Sequence, residues 1–283
     1  YTMTMTQRIS NLTVASNYGK ECFLDENNKT VPVHADSPNG PYLLRPLTKE
    51  LPERYIITKT HCIGFETGKP PEKYIQTHRT FVKGCARGSR IEGEDKIEGR
   101  YDEKVVQRAI HLLRNPFNNA VSRFHLQQHE HKYKDDEDWL EKYPSSPEGF
   151  QLWCADMDKL HTKEDQNSRF FDEKLLDMLE GVPCHAEFYE YAQWHRLALD
   201  TTRDLRLPTL VIHYEDYGTD HGGTVAKILD FLEVQPVNEL RPFITGKSYD
   251  DYFSHEQRVK AMKLIKELVN PDTWALIERY DVN

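Results

Sequence analysis

The stretch Gln107-Arg108-Ala109-Ile110-His111-Leu112-Leu113-Arg114-Asn115-Pro116-Phe117-Asn118-Asn119-Ala120-Val121-Ser122-Arg123-Phe124-His125 decides the fold. It predicts a buried strand running directly into a helix. Ile110, Leu112 and Leu113 form a short apolar run, suited to a strand covered on both faces. Asn115 suits a helix N-cap, and Pro116 the first helical position, where a missing N–H costs nothing. Phe117, Ala120, Val121 and Phe124 recur at helical spacing, which predicts one face packed on the sheet. Arg114 falls at the carboxyl end of the strand and Ser122 in the second helical turn. Ligands of open α/β sheets bind at the carboxyl ends of the strands. A guanidinium and a hydroxyl beside a helix N-terminus make an anion site, most naturally for a phosphate. On this stretch alone the bland alternative stays open: Arg114 as a surface ion-pair partner and Ser122 as an incidental helix residue.

Two further strands frame it. Arg54-Tyr55-Ile56-Ile57-Thr58-Lys59-Thr60-His61 ends in a cation and an imidazole two residues apart, which period-two geometry places on one side of the strand. That pair suits acid–base chemistry beside an anionic group. A capping His61 and a solvated Lys59 are the plainer reading of the spacing. Leu207 to Tyr217 is the third strand, with Tyr214, Glu215 and Asp216 at its polar end. Val225, Ile228, Leu229 and Leu232 then make the apolar face of a helix over 224–232. Helices are also expected over 255–269 and 271–280.

Elsewhere the pattern is less regular. Residues 1 to about 17 predict a helix with Met5, Ile9, Leu12 and Val14 on its buried side, and no strand before it. Residues 18–52 hold five prolines and read as a long ordered loop. Cys62 to Asp102 reads as a loop-like insertion, part of it mobile, bracketed early by Cys62 and Cys85, whose pairing the sequence leaves open. Helical patterns around Phe150, Phe170 and Phe188 carry aromatic stripes, expected to be core. Gly246-Lys247-Ser248 echoes the end of a phosphate-binding loop, but Arg241 stands where that motif needs its first glycine, so it is rejected.

Composition narrows the partners. The chain has 283 residues, enough for one large α/β domain. A net charge of −9 argues against a general nucleic-acid or anionic-membrane surface. No run approaches the ~20 apolar residues needed to span a bilayer, so a membrane link would come only through a segment outside this chain. The five cysteines form no CxxC pair, and no metal site is expected. Asn11-Leu12-Thr13 and Asn28-Lys29-Thr30 are glycosylation sequons, meaningful only in a secretory compartment.

The order Lys59-Thr60-His61, then Arg114-Asn115-Pro116…Ser122, then Tyr214-Glu215-Asp216 resembles the sulfotransferases that use 3′-phosphoadenosine 5′-phosphosulfate (PAPS). The Tyr252-Phe253…Glu256-Gln257…Trp274…Tyr280-Asp281 pattern is similar too. The resemblance covers about residues 54–283, interrupted over 63–104. It implies a three-layer α/β sandwich with a central, mostly parallel sheet flanked by helices, a P-loop NTPase-like fold. It implies a single domain over 1–283 with a flexible insertion at about 63–104.

By the same resemblance, Arg114 and Ser122 hold the cofactor's 3′-phosphate, and Tyr214 borders the adenine pocket. His61 is the catalytic base and Lys59 contacts the transferring sulfuryl group. The acceptor is a hydroxyl or amine on a glycan, a protein tyrosine or a small molecule, and the spent cofactor is adenosine 3′,5′-bisphosphate. The family's glycine- and serine-containing phosphosulfate loop has no counterpart in this chain, which is expected to begin beyond it and to bind PAPS weakly by itself. Sequons and cysteines lean towards the Golgi lumen or secretory pathway, with the cytoplasm as the alternative. The competing functional class is a non-catalytic binding or scaffold domain that keeps the fold. A nucleotide-dependent kinase is disfavoured by the missing Walker motif.

Overall fold

The computed structural model describes residues 1–16, 26–27, 29–33, 36–43, 56–63, 71–244 and 249–282. In chain order the elements are α1 (Thr2–Ser10), β1 (Thr13–Ser16), β2 (Tyr42–Leu43), β3 (Ile56–Lys59), α2 (Pro71–Tyr74), α3 (His78–Cys85), β4 (Arg87–Glu92) and β5 (Asp95–Arg100). Then come β6 (Ala109–Leu113), α4 (Pro116–Tyr133), α5 (Glu137–Lys142), α6 (Pro147–Asp165), α7 (Glu173–Leu179), α8 (His185–Asp204) and β7 (Thr209–His213). The chain closes with α9 (Asp216–Thr219), α10 (His221–Leu232), α11 (His255–Leu268) and α12 (Pro271–Ile277). It divides into two compact units: 1–64 with 77–112 and 201–245, and 65–76 with 113–200 and 246–283.

The first unit is built on short strands. β1 pairs with β3 in parallel, Thr13 opposite Ile56 through Ser16 opposite Lys59, and with β2 antiparallel. β6 lies beside β7. Met5 and Ile9 of α1 and Val225, Ile228, Leu229 and Leu232 of α10 share one core with Ile212 of β7, against which Ile57 and Ile110 pack. The apolar spacing read in the sequence for α1 and α10 is therefore a buried spacing. Tertiary packing of such a face contributes most of the stability of short helices.

Three expectations change here. One central, mostly parallel sheet is not what the described strands form: they make separate sheets of three, two and two strands within a mixed α/β chain. Their runs are only two to six residues long, and each ladder ends where its run ends. The N-terminal helix stops at Ser10, because Asn11 turns left-handed (φ 60°) and its N–H caps onto the Gln7 carbonyl; Thr13 and Val14 then enter β1. Asn tolerates that backbone region where β-branched residues do not, so the break falls at Asn11.

The segment read as a loop after Cys62 contains α3 and a hairpin of β4 and β5. Glu92 pairs with Asp95, leaving the two-residue turn Gly93-Glu94, with Gly93 at φ 63°. Glycine-first two-residue turns match the twist of the flanking strands. The hairpin is tied to the earlier proline-rich segment, since Thr30 Oγ1 accepts from the Ile91 N–H and Arg90 donates to Asn39 Oδ1.

The second unit is helical and aromatic. Phe117 and Phe124 of α4, Phe150 and Trp153 of α6, Phe188 of α8 and Phe253 interlock with ring centroids 5.1–5.6 Å apart. The aromatic rings of the apolar face of α4 thus pack on helices and Phe253 of its own unit, rather than on the sheet that its spacing predicts, because the rings of α6 and α8 face it there. The disulfide Cys154–Cys184 joins α6 to the residue before α8, and both cysteines are buried.

Candidate functional site

Arg114 and Ser122 belong to the second unit. Arg114 follows the last residue of β6, half-buried, and its carbonyl accepts a 2.7 Å hydrogen bond from the Tyr191 hydroxyl. Asn115 is the N-cap of α4: its side chain accepts from the N–H groups of Phe117 (3.0 Å) and Asn118 (3.2 Å), and Pro116 follows. This cap fixes where α4 begins and so where Arg114 stands. Ser122 is half-buried in the second turn of α4.

Arg123, beside it, forms an ion pair with Glu187 at 3.9 Å. Burial pushes the Glu187 carboxyl up to about 7, against the opposing pull of Arg123.

Lys59, His61 and Tyr214 belong to the first unit. Lys59 is the exposed last residue of β3. His61 is exposed but lies beyond the strand, so the alternation expected to set it on the same side as Lys59 does not reach it.

A locked turn holds His61 instead. Thr60 Oγ1 accepts from the Cys62 N–H at 3.0 Å, Cys62 is left-handed at φ 56°, and Cys62 is bonded to Cys85 at the end of α3. Gly84 sits so close that a Cβ on it would lie 1.9 Å from the Cys62 carbonyl oxygen. The pairing of Cys62 with Cys85, which the sequence left open, thus clamps the turn that carries His61.

Tyr214 follows β7 and lines a cavity of about 930 Å³ with Tyr1, Arg8, Arg241, Phe243 and neighbouring side chains. Tyr1, Tyr217 and Tyr214 surround Phe243 edge-on or tilted, at centroid distances of 4.8, 5.6 and 5.6 Å. Aromatic faces and guanidinium groups around one cavity suit a flat, polar ring system carrying negative charge.

Sequence reading missed a buried cluster in the second unit. His185 is sandwiched between Asp158 (Nδ1–Oδ1 2.8 Å) and Asp165 (Nε2–Oδ2 2.9 Å), and the Tyr74 hydroxyl donates to the other Asp165 oxygen at 2.6 Å. The Cys184 and His185 N–H groups both donate to Asp158. Burial pulls the His185 pKa down, but the two carboxylates outweigh it and hold the ring at about 9. Asp158, Asp165 and His185 line a second cavity of about 590 Å³. Asp158 and Asp165 are seven residues apart, two turns along one face of α6, a spacing that could have flagged them.

A family profile described as the sulfotransferase domain matches residues 104–272, about three fifths of the chain. The chain belongs to the sulfotransferase family, a family of transferases of sulfuryl groups. The match contains Arg114, Ser122 and Tyr214, while Lys59 and His61 precede it. No curated protein and no solved structure matches the chain.

Proposed function

We propose that the protein moves a sulfuryl group from PAPS to a hydroxyl or amine acceptor. The observation that carries this is the strand–Arg114–Asn115 cap–α4–Ser122 unit, lying inside the matched sulfotransferase region. The chain offers residues for the 3′-phosphate and adenosine ends of the donor. Arg114 and Ser122 would hold its 3′-phosphate by charge-assisted hydrogen bonds, which position rather than react. The aromatic, arginine-bearing cavity around Tyr214 suits the adenosine end.

When bound, PAPS supplies an activated sulfuryl group on a phosphate leaving group. His61 would take the acceptor's proton as that group is attacked. Lys59 would offset charge developing on the sulfuryl oxygens. The locked Thr60–Cys62 turn limits where the imidazole can go, which is what a positioned base requires. The spent cofactor is adenosine 3′,5′-bisphosphate. No step needs a metal, and no nucleic acid is a partner.

The disulfides Cys62–Cys85 and Cys154–Cys184 support a secretory compartment such as the Golgi lumen, because such bonds persist where the surroundings are oxidising. The acceptor class stays at glycan, protein tyrosine or small molecule.

The test is transfer of labelled sulfate by the full-length protein, with binding of adenosine 3′,5′-bisphosphate measured in parallel. Arg114→Ala should weaken binding about 10- to 100-fold, the value of one or two charged hydrogen bonds. His61→Ala should abolish turnover and leave the nucleotide bound. Unchanged affinity in the first variant rejects the phosphate assignment. Binding without transfer in the wild type would favour the scaffold reading.

A further inference from the structure

We propose that Asn11 carries an N-linked glycan, an inference that rests on the secretory part of the functional reading. Asn11-Leu12-Thr13 is a complete sequon without proline at its centre. Three structural observations bear on it independently of the motif.

Asn11 is exposed, at the outward corner where α1 hands over to β1. Leu12 is 7% exposed and joins the core, so the chain turns inward immediately after the exposed Asn11. Four of the five cysteines are joined as disulfides, and Cys154–Cys184 is buried, so it forms as the chain folds. Oxidative folding and sequon glycosylation share one compartment. The fold need only leave the residue outside once the sugar is attached, and this corner does.

The backbone alone explains part of the pattern. Asparagine is at ease in the left-handed region and is a common residue after a helix end. Thr13 is not explained that way: it enters a strand pair opposite Ile56, where any β-branched residue would serve.

The co-reactant is an oligosaccharide on a lipid pyrophosphate. The Asn11 amide nitrogen forms a bond to the sugar's anomeric carbon, and the bond from that carbon to the pyrophosphate oxygen breaks. The lipid pyrophosphate leaves with the bonding pair and the amide gives up one proton. Nothing is oxidised or reduced.

The experiment uses full-length protein purified from the cells that make it. Peptide-N-glycosidase digestion in heavy-oxygen water should convert Asn11 to a labelled Asp, read by mass spectrometry of its peptide. Two variants separate the sugar from the turn. Asn11→Gly keeps the left-handed corner and removes the acceptor; Thr13→Val keeps the β-branched strand residue and removes the hydroxyl. Each should lose one electrophoretic mobility step relative to wild type while sulfuryl transfer persists. An unlabelled Asn11 in protein whose Cys154–Cys184 bond is formed overturns the proposal and leaves the compartment standing. An unlabelled Asn11 with all cysteines reduced overturns both and leaves sulfuryl transfer to be judged by its own assay. Variants that keep the full mobility step also reject it.

Discussion

The charge on His185 should make the stability of the protein fall between pH 6.5 and 9, and Asp165→Asn should reduce that fall. Both ring nitrogens face carboxylate oxygens, 2.8 and 2.9 Å away. Only an imidazolium can donate at both, so the folded state holds the proton. The ring is 4% exposed and Asp165 1%, so water screens little of the interaction. The folded ring is held at about 9, against 6.5 when free.

A raised folded pKa means that the stabilisation is complete below 6.5 and is lost as pH climbs through 9. That span, at about 1.4 kcal/mol per pH unit, corresponds to about 3 kcal/mol. Asp165→Asn removes one of the two charges and keeps an oxygen for the Tyr74 hydroxyl. It should cost about 3 kcal/mol at pH 6.5, the usual scale for breaking a buried pair. Its profile should then fall less steeply towards pH 9, with Asp158 still facing the ring. Urea unfolding at half-unit pH steps measures both profiles, and an NMR titration of the His185 ring reads its pKa directly. Parallel profiles for wild type and variant, or a His185 that titrates below 7 in the folded wild type, would refute the reasoning.

Glu187, raised to about 7 by burial, carries the same sign from a carboxylate: stability is complete below 4.5 and is lost on the way to 7. Glu187→Gln should therefore flatten the profile between pH 4.5 and 7 by about 3 kcal/mol in the same unfolding series. His111 has the opposite sign. Burial holds it down to about 4, so its stabilisation is present above 6.5 and is lost as pH falls towards 4; His111→Gln should remove about 3 kcal/mol of acid sensitivity, read by thermal melts from pH 4 to 7. Gly84→Ala would drive its Cβ into the Cys62 carbonyl, a backbone group that cannot swing aside as a side chain would. It should cost about 3 kcal/mol and lower kcat through His61 while nucleotide affinity holds, which steady-state kinetics and a binding titration separate.

What was legible in the sequence was local. The Asn115 cap, Pro116 at the first helical position and the apolar spacing of Phe117, Ala120, Val121 and Phe124 are each set within a few residues, and each stands in the structure as read. The apolar face of α10 is legible for the same reason. β1 was not, because four residues directly after a helix carry too little pattern to separate a strand from a helix tail; only its pairing with β3 decides it. The β4–β5 hairpin is charged along both strands, with Arg90 against Glu92 and Lys96 against Glu98, so no apolar alternation announces it. His185 reads as one more polar helix residue until Asp158 and Asp165 are brought to it by the packing of two helices.

The placement of His61 is the instructive case for function. Alternation along a strand places side chains only while the strand lasts, and β3 ends at Lys59. Two residues later the direction of a side chain depends on how the turn is held. Here that hold comes from α3, through the Cys62–Cys85 bond and the approach of Gly84 to the Cys62 carbonyl. The segment that looked like an insertion therefore supplies the restraint on the proposed base, from more than twenty residues away. A base on an unrestrained exposed turn would lose most of the advantage of positioning, which reaches several kcal/mol in well-oriented systems. The same logic governs Arg114, whose place is set by the Asn115 cap rather than by the strand it leaves. In both cases the residue proposed to react or to bind lies just past a strand end, and the restraint that aims it is a neighbour with no proposed chemistry of its own.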